Sequence, residues 1–166
     1  ASRRILTVSN AAKAEIVEYI GVDSDVIDVT SEAPDPQFQQ THDEERKRAA
    51  RQRAQIPENA SVILFVGGLA PHKNLSGFLD GFEKSLGNAC MRHVHVALIG
   101  DLKGAGFFSN YNSLSVKVKT NPLLAERVHF SGYVSDEDLV ALYSSAFAVT
   151  MPSYSEGFGL PAIEAM

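Results

Sequence analysis

The sequence predicts an α/β fold, a parallel sheet with helices on both faces. Two observations predict it. Short runs rich in Val, Ile and Leu alternate with segments whose apolar residues recur at helical spacing, in the order strand, helix, strand, helix. The chain has 166 residues, of which 45% are hydrophobic. That is enough for one core, and for one domain or a domain plus a piece of another.

The elements follow in chain order. Ile5 to Val8 reads as a buried strand. Asn10 is placed to cap a helix carrying Ala12, Ile16, Val17 and Ile20, with Gly21 as its stop. Val26 to Val29 is a second short strand, and Thr30 to Gln40, holding Pro34 and Pro36, is a linker. Asp43 to Gln55 is a charged helix with acids first and bases later, which suits the helix dipole. Its basic end is either a solvated face or an anion patch. Ser61 to Gly67 is a buried strand. Leu75, Phe78, Leu79, Phe82 and Leu86 then mark an amphipathic helix. Val94 to Gly100 is the next strand. Residues 103–121 begin Gly- and Ser-rich and turn helical, and Pro122 to Ala125 is irregular. Val128 to Phe130 is a strand, and Ser135 caps a helix with Leu139, Leu142, Tyr143 and Ala146. Phe147 to Met151 is the last strand. Pro152 to Gly159 is a loop, and a helix starts at Leu160.

Several functions are excluded. Fifteen Lys and Arg against twenty Asp and Glu give a net charge of −5, the wrong sign for an electrostatic nucleic-acid binder. A single cysteine, Cys90, permits no intrachain disulfide and reads as a small buried hydrophobe. No apolar run approaches the roughly 18 residues of a membrane span. His93 and His95 share a strand face, but the sequence nominates no third metal ligand. Walker A, dinucleotide-fingerprint and nucleophile-elbow signatures are missing.

In parallel α/β sheets ligands bind beyond the carboxyl ends of the strands. That directs attention to the loops at 67–74, 100–107 and 152–160. In the last, Gly157 and Gly159 flank Phe158, so backbone can approach a ligand closely. Pro161 suits a first helical turn, where free N–H groups would meet an anion such as a diphosphate. Glu164, about one turn further on, suits the vicinal diol of a ribose, because one carboxylate can accept from both hydroxyls. Glu156 could do the same for a sugar. In the first loop, Lys73 is a flexible cation able to reach a phosphate and stabilise a leaving diphosphate. His72 beside it could touch the same group.

The segment from Glu156 through Phe158, Gly159 and Leu160 to Glu164, Ala165 and Met166 resembles the E-x7-E segment of the group 1 (GT4-type) retaining glycosyltransferases. Residues 128–139, with Leu142 and Tyr143, resemble another segment of that family. So do Phe65 to Asn74, with Pro71, Lys73 and Asn74 in place, and the stretch from Thr7 through Lys13 to Ile27. Pro34 to Phe38 resembles its interdomain linker. The resemblance implies one half of a GT-B architecture, two Rossmann-like domains facing across a cleft. Residues 1–33 would be the end of the first domain. Residues 34–166 would be a nucleotide-sugar-binding domain, truncated at its C-terminal end.

The resemblance also implies roles. Lys73 would bind the donor diphosphate, and Glu156 would contact the donor sugar near its anomeric centre. Backbone at Phe158, Gly159 and Leu160 would meet phosphate and sugar, Glu164 the ribose, and backbone at Val134 the base. Gly68 and His72 complete the expected donor site; many relatives carry Arg where Gly68 stands. The donor would be a UDP- or GDP-sugar, transferred with retention and without metal or other cofactor. The acceptor, a glycan or lipid-linked sugar, would sit on a first domain beyond this chain, in the cytoplasm or at the cytoplasmic face of a membrane. A non-catalytic nucleotide-sugar-binding module, or a GT-B-like epimerase or phosphorylase, are the alternatives.

Overall fold

A computed structural model of the chain describes residues 2–101 and 109–166. The part of the expected loop at 102–107 lies outside the described residues. Two parallel sheets are present. In the first, β1 (Ile5–Thr7) pairs with β2 (Ile27–Val29), Ile5 opposite Ile27, and α1 (Asn10–Ile20) connects them. The second has four strands in the order β5, β4, β3, β6, all parallel: β3 (Ser61–Val66), β4 (Val94–Ile99), β5 (Val128–Gly132) and β6 (Ala148–Val149). Around it lie α2 (Glu44–Arg53), α3 (Leu75–Ser85), α4 (Tyr111–Thr120), α5 (Pro122–Arg127), α6 (Asp136–Ser145) and α7 (Leu160–Glu164).

The continuous apolar run of β3 has its reason in this arrangement, since both faces of the sheet are covered. On one face Phe65, Val94, Val96, Leu98 and Val128 meet Leu75, Leu79 and Phe82 of α3, Leu114 and Val118 of α4, and Leu124 of α5. On the other, Val62, Leu64, Ala97 and Ile99 meet Ala50 and Ala54 at α2 and Ala141, Leu142 and Tyr143 of α6. Each such large side chain, fully buried, contributes about 2 kcal/mol. The alternation along β3 and β4 fixes their register, because a slip of one residue would exchange the two cores.

The bases of α2 are occupied by the fold. Arg51 is buried and donates to the carbonyls of Ser145, Pro57 and Ala60. Arg53 holds Asp138 of α6 through two hydrogen bonds, and Arg46 donates to the Glu137 carbonyl. Lys47 and Arg48 pair with Glu44 and Glu58. The basic end is therefore a seam to α6 and the loop before β3, neither a free anion patch nor a purely solvated face.

Several expectations are corrected. The cap of α1 is Ser9, whose Oγ accepts from Ala12 N–H, and not Asn10. β1 is not buried throughout, since Leu6 is mostly exposed. Residues 122–125 are helical: the Asn121 side chain accepts from Leu123 and Leu124 N–H, and Pro122 occupies the first turn. β6 is shorter than read, although Phe147 N–H and Thr150 N–H bond to Val62 and Leu64 carbonyls at its ends. Cys90 is exposed, in a 3₁₀ turn ahead of β4. Among the described residues no helix is long and apolar enough to cross a membrane.

Candidate functional site

Strands β3, β4 and β5 all end at a glycine of positive φ, respectively Gly67, Gly100 and Gly132. The middle one is there for space. A Cβ on Gly100 would lie 2.5 Å from the Gly67 carbonyl oxygen, and that backbone cannot yield. Two of the expected loops leave or cross this edge, and hydrogen bonds join them. Tyr154 N–H donates to the His72 carbonyl (2.9 Å), and Asn74 Nδ2 to the Pro152 carbonyl (3.1 Å). The first loop is held in turn by buried Leu69, by the 3₁₀ turn Pro71–Lys73, and by Asn74 in the left-handed region that Asn tolerates.

This joining brings Lys73 onto Glu156. The ammonium donates to both carboxylate oxygens at 2.8 Å, and Ser153 Oγ donates to Oε1. Both side chains are about three-quarters buried. Burial alone would raise the Glu156 pKa. The hydrogen bonds from Lys73 and Ser153, with the charges of Lys73 and His72, outweigh it and hold the carboxyl below its ordinary value. His72 is exposed at the rim.

Beyond Glu156 the chain turns through Gly159, whose φ of 89° only glycine adopts readily and whose Cβ would sit 2.9 Å from Met151 Cε. Gly157 is different. Its φ is not in the left-handed region, and its carbonyl accepts from Ser9 Oγ. The unusual angles expected at both glycines thus occur at one. Among the described residues, the N–H groups of Phe158, Gly159 and Leu160 have no protein acceptor. α7 has only five residues, so these are individual donors and not the end of a long dipole.

Glu164 belongs to a second cluster. Tyr143 OH donates to its Oε2 at 3.0 Å, and both line a cavity of about 260 Å³ with Phe38, Val140 and Ser144. Burial first, then the Glu164 charge and hydrogen bond, pushes the Tyr143 phenol far above its ordinary pKa. Phe38 of the linker packs edge-on against the Tyr143 ring. Val134 is half-buried just after β5 and packs into the α2/α6 core. A Cβ on Gly68 would meet nothing within 4 Å.

The structure thus joins Lys73 to Glu156, two residues ahead of the 158–160 backbone, and pairs Glu164 with Tyr143. Sequence reasoning missed Ser9 and Ser153 as site-shaping groups. It took Tyr143 as core. Their only signal was a hydroxyl near a motif, which is too common to single out. His95 pairs with His129 across β4 and β5 (Nδ1 to Nε2 2.9 Å, rings stacked), while exposed His93 precedes the strand. Among the described residues no group of three metal-ligating side chains is present.

Residues 46–166 match the family model described as glycosyl transferases group 1. The chain is 29% identical over 153 residues to D-inositol 3-phosphate glycosyltransferase of Corynebacterium efficiens, covering 92% of this chain and 35% of that protein. It is 36% identical over 105 residues to mannosylfructose-phosphate synthase of Agrobacterium fabrum, covering 63% and 23%. Among solved structures it resembles Anabaena Alr3699/HepE in complex with UDP-glucose, with a TM-score of 0.78 and 22% identity, over 99% of this chain and 42% of that one. The chain therefore spans about a third of the length of the first of these relatives.

Proposed function

The chain belongs to the group 1 glycosyl transferases, and from that premise we propose that it is the donor-binding part of a retaining glycosyltransferase. The donor is a nucleotide diphosphate sugar. One observation carries the reading: a largely buried lysine is paired with a carboxylate beyond the carboxyl end of a parallel sheet, and two residues further on begin three backbone N–H groups with no protein acceptor among the described residues. Lys73 takes the diphosphate, and the N–H groups at Phe158, Gly159 and Leu160 share its charge. Fixed donors aimed at a charge that grows as the glycosidic bond breaks lower the barrier without a metal ion. Glu156 meets the sugar hydroxyls near the anomeric carbon. Glu164 takes the ribose diol with the oxygen lone pairs that Tyr143 leaves open, and backbone at Val134 meets the base.

UDP is the leading nucleotide, since the similar Anabaena protein was solved with UDP-glucose. Acceptor recognition belongs to parts of the longer relatives that this chain does not span, and the reaction runs on the cytoplasmic side.

The test is calorimetric titration of the chain with UDP, GDP and ADP, repeated on Glu164→Ala. Saturable binding of one nucleotide, weakened about tenfold or more by the substitution (about 1.4 kcal/mol), supports the reading. Binding that Glu164→Ala leaves unchanged removes the ribose role of Glu164.

A further inference from the structure

The segment that carries β1 and α1 reaches the glycine turn through Ser9. Ser9 Oγ accepts from Ala12 N–H (3.0 Å), capping α1, and donates to the Gly157 carbonyl (2.5 Å). The contact is not solitary. A Cβ on Gly157 would lie 3.3 Å from Val8 Cγ2, and Ser155 Oγ donates to Glu15 of α1 at 3.0 Å. Val8, Ser9 and Glu15 of one segment therefore lie against the 155–157 loop, two of them through hydrogen bonds.

The carbonyl of Gly157 and the N–H of Phe158 belong to one planar trans peptide, so they point in opposite directions. Holding the carbonyl toward Ser9 holds the Phe158 N–H away from it. That N–H has no protein acceptor among the described residues. Without the hydroxyl the carbonyl loses the bond that fixes its direction, and Gly157 has no Cβ to restrict the ψ about which this peptide tilts. A tilted peptide would aim the Phe158 N–H off its present line and bring the carbonyl oxygen nearer an anion.

We infer that Ser9 is a positioning residue of the donor site, locking the 157–158 peptide so that Phe158 N–H, and not Gly157 C=O, faces the diphosphate. The inference rests on the donor-site reading above. It also gives the Ser9 hydroxyl two simultaneous duties, acceptor to α1 and donor to the turn, that Ala cannot perform and Thr can.

The test separates cap from lock. Ser9→Gly removes the hydroxyl at little cost to an N-cap. Ser9→Thr keeps both duties. Each variant is titrated with UDP and with uridine, which lacks the diphosphate, after circular dichroism confirms the fold. The expected result is UDP affinity about tenfold weaker in Ser9→Gly, uridine affinity unchanged, and Ser9→Thr within about twofold of the native chain for both. Unchanged UDP affinity in Ser9→Gly overturns the inference. So does an equal loss of UDP and uridine binding, which marks a general structural role, and so does failure of Ser9→Thr to rescue. If the native chain binds UDP no tighter than uridine, the donor-site reading itself falls, independently of Ser9.

Discussion

Replacing Glu156 by Gln should tighten the binding of UDP, although Glu156 belongs to the proposed donor site. In the structure its carboxylate holds the Lys73 ammonium at 2.8 Å, so the cation that would receive a phosphate is already paired. Two unit charges at that distance attract by about 6 kcal/mol at an effective dielectric near 20, before desolvation and side-chain ordering are subtracted. Both groups keep roughly a quarter of their surface in solvent (23% and 26%), which places the net worth of the pair nearer about 1 kcal/mol. Gln keeps the shape and can still accept from Ser153, but it releases Lys73 and removes one negative charge beside the phosphate. UDP affinity should rise roughly fivefold. Lys73→Met should act oppositely, weakening UDP about tenfold or more and leaving uridine unchanged. Isothermal titration at neutral pH reads both. A weaker UDP complex in Glu156→Gln, or an unchanged one in Lys73→Met, would refute the placement of Lys73 on the diphosphate.

Gly100→Ala should destabilise the chain by about 2–4 kcal/mol, since it combines a glycine-only φ of 132° with a 2.5 Å approach to backbone, while Gly68→Ala should stay within about 1 kcal/mol of the native chain; urea midpoints compare them, and equal losses would refute the reasoning. Tyr143→Phe should weaken UDP several-fold yet leave 2′,3′-dideoxy-UDP unaffected, because the lost hydroxyl orients the carboxylate assigned to the ribose diol. His95 is held at about 4 by burial first, then by the charges of His129, Arg127, Arg51 and His93, and burial lowers His129 as well. A depressed histidine pKa contributes stability that is present above the unfolded value near 6.5 and is lost as pH falls toward the folded one. The thermal midpoint should therefore drop between about pH 6.5 and 4, and His95→Phe with His129→Leu should flatten that slope.

The second sheet was legible because its signals are local and redundant. Val62 to Val66 and the spacing of Leu75, Leu79 and Phe82 each declare an element that burial then confirms. α5 was not, because Pro122 reads as a breaker until Asn121 is seen to cap it. The site divides in the same way. Lys73 and Glu156 stood out as charged residues beside glycines after strands, but their direct pairing joins residues 83 apart in sequence, which no spacing reveals. The Tyr143–Glu164 contact was equally hidden. Tyr143 sits at a core position of α6, and core aromatics give no sign that their one polar atom has work to do.

The Lys73–Glu156 pair has a consequence for encounter as well as for affinity. A dinegative ligand is drawn from afar by uncompensated positive charge, and here the site's lysine is cancelled at 2.8 Å within a chain of net charge −5. The pair therefore adds almost no attractive field past the Debye length of about 8 Å at physiological salt. On the proposed donor role, capture is left to random collision at short range, and the arriving phosphate itself must separate the two partners. Association should be slow by the standard of steered anion sites and nearly indifferent to ionic strength, so that selectivity is exercised in how long a ligand stays and not in how often it arrives.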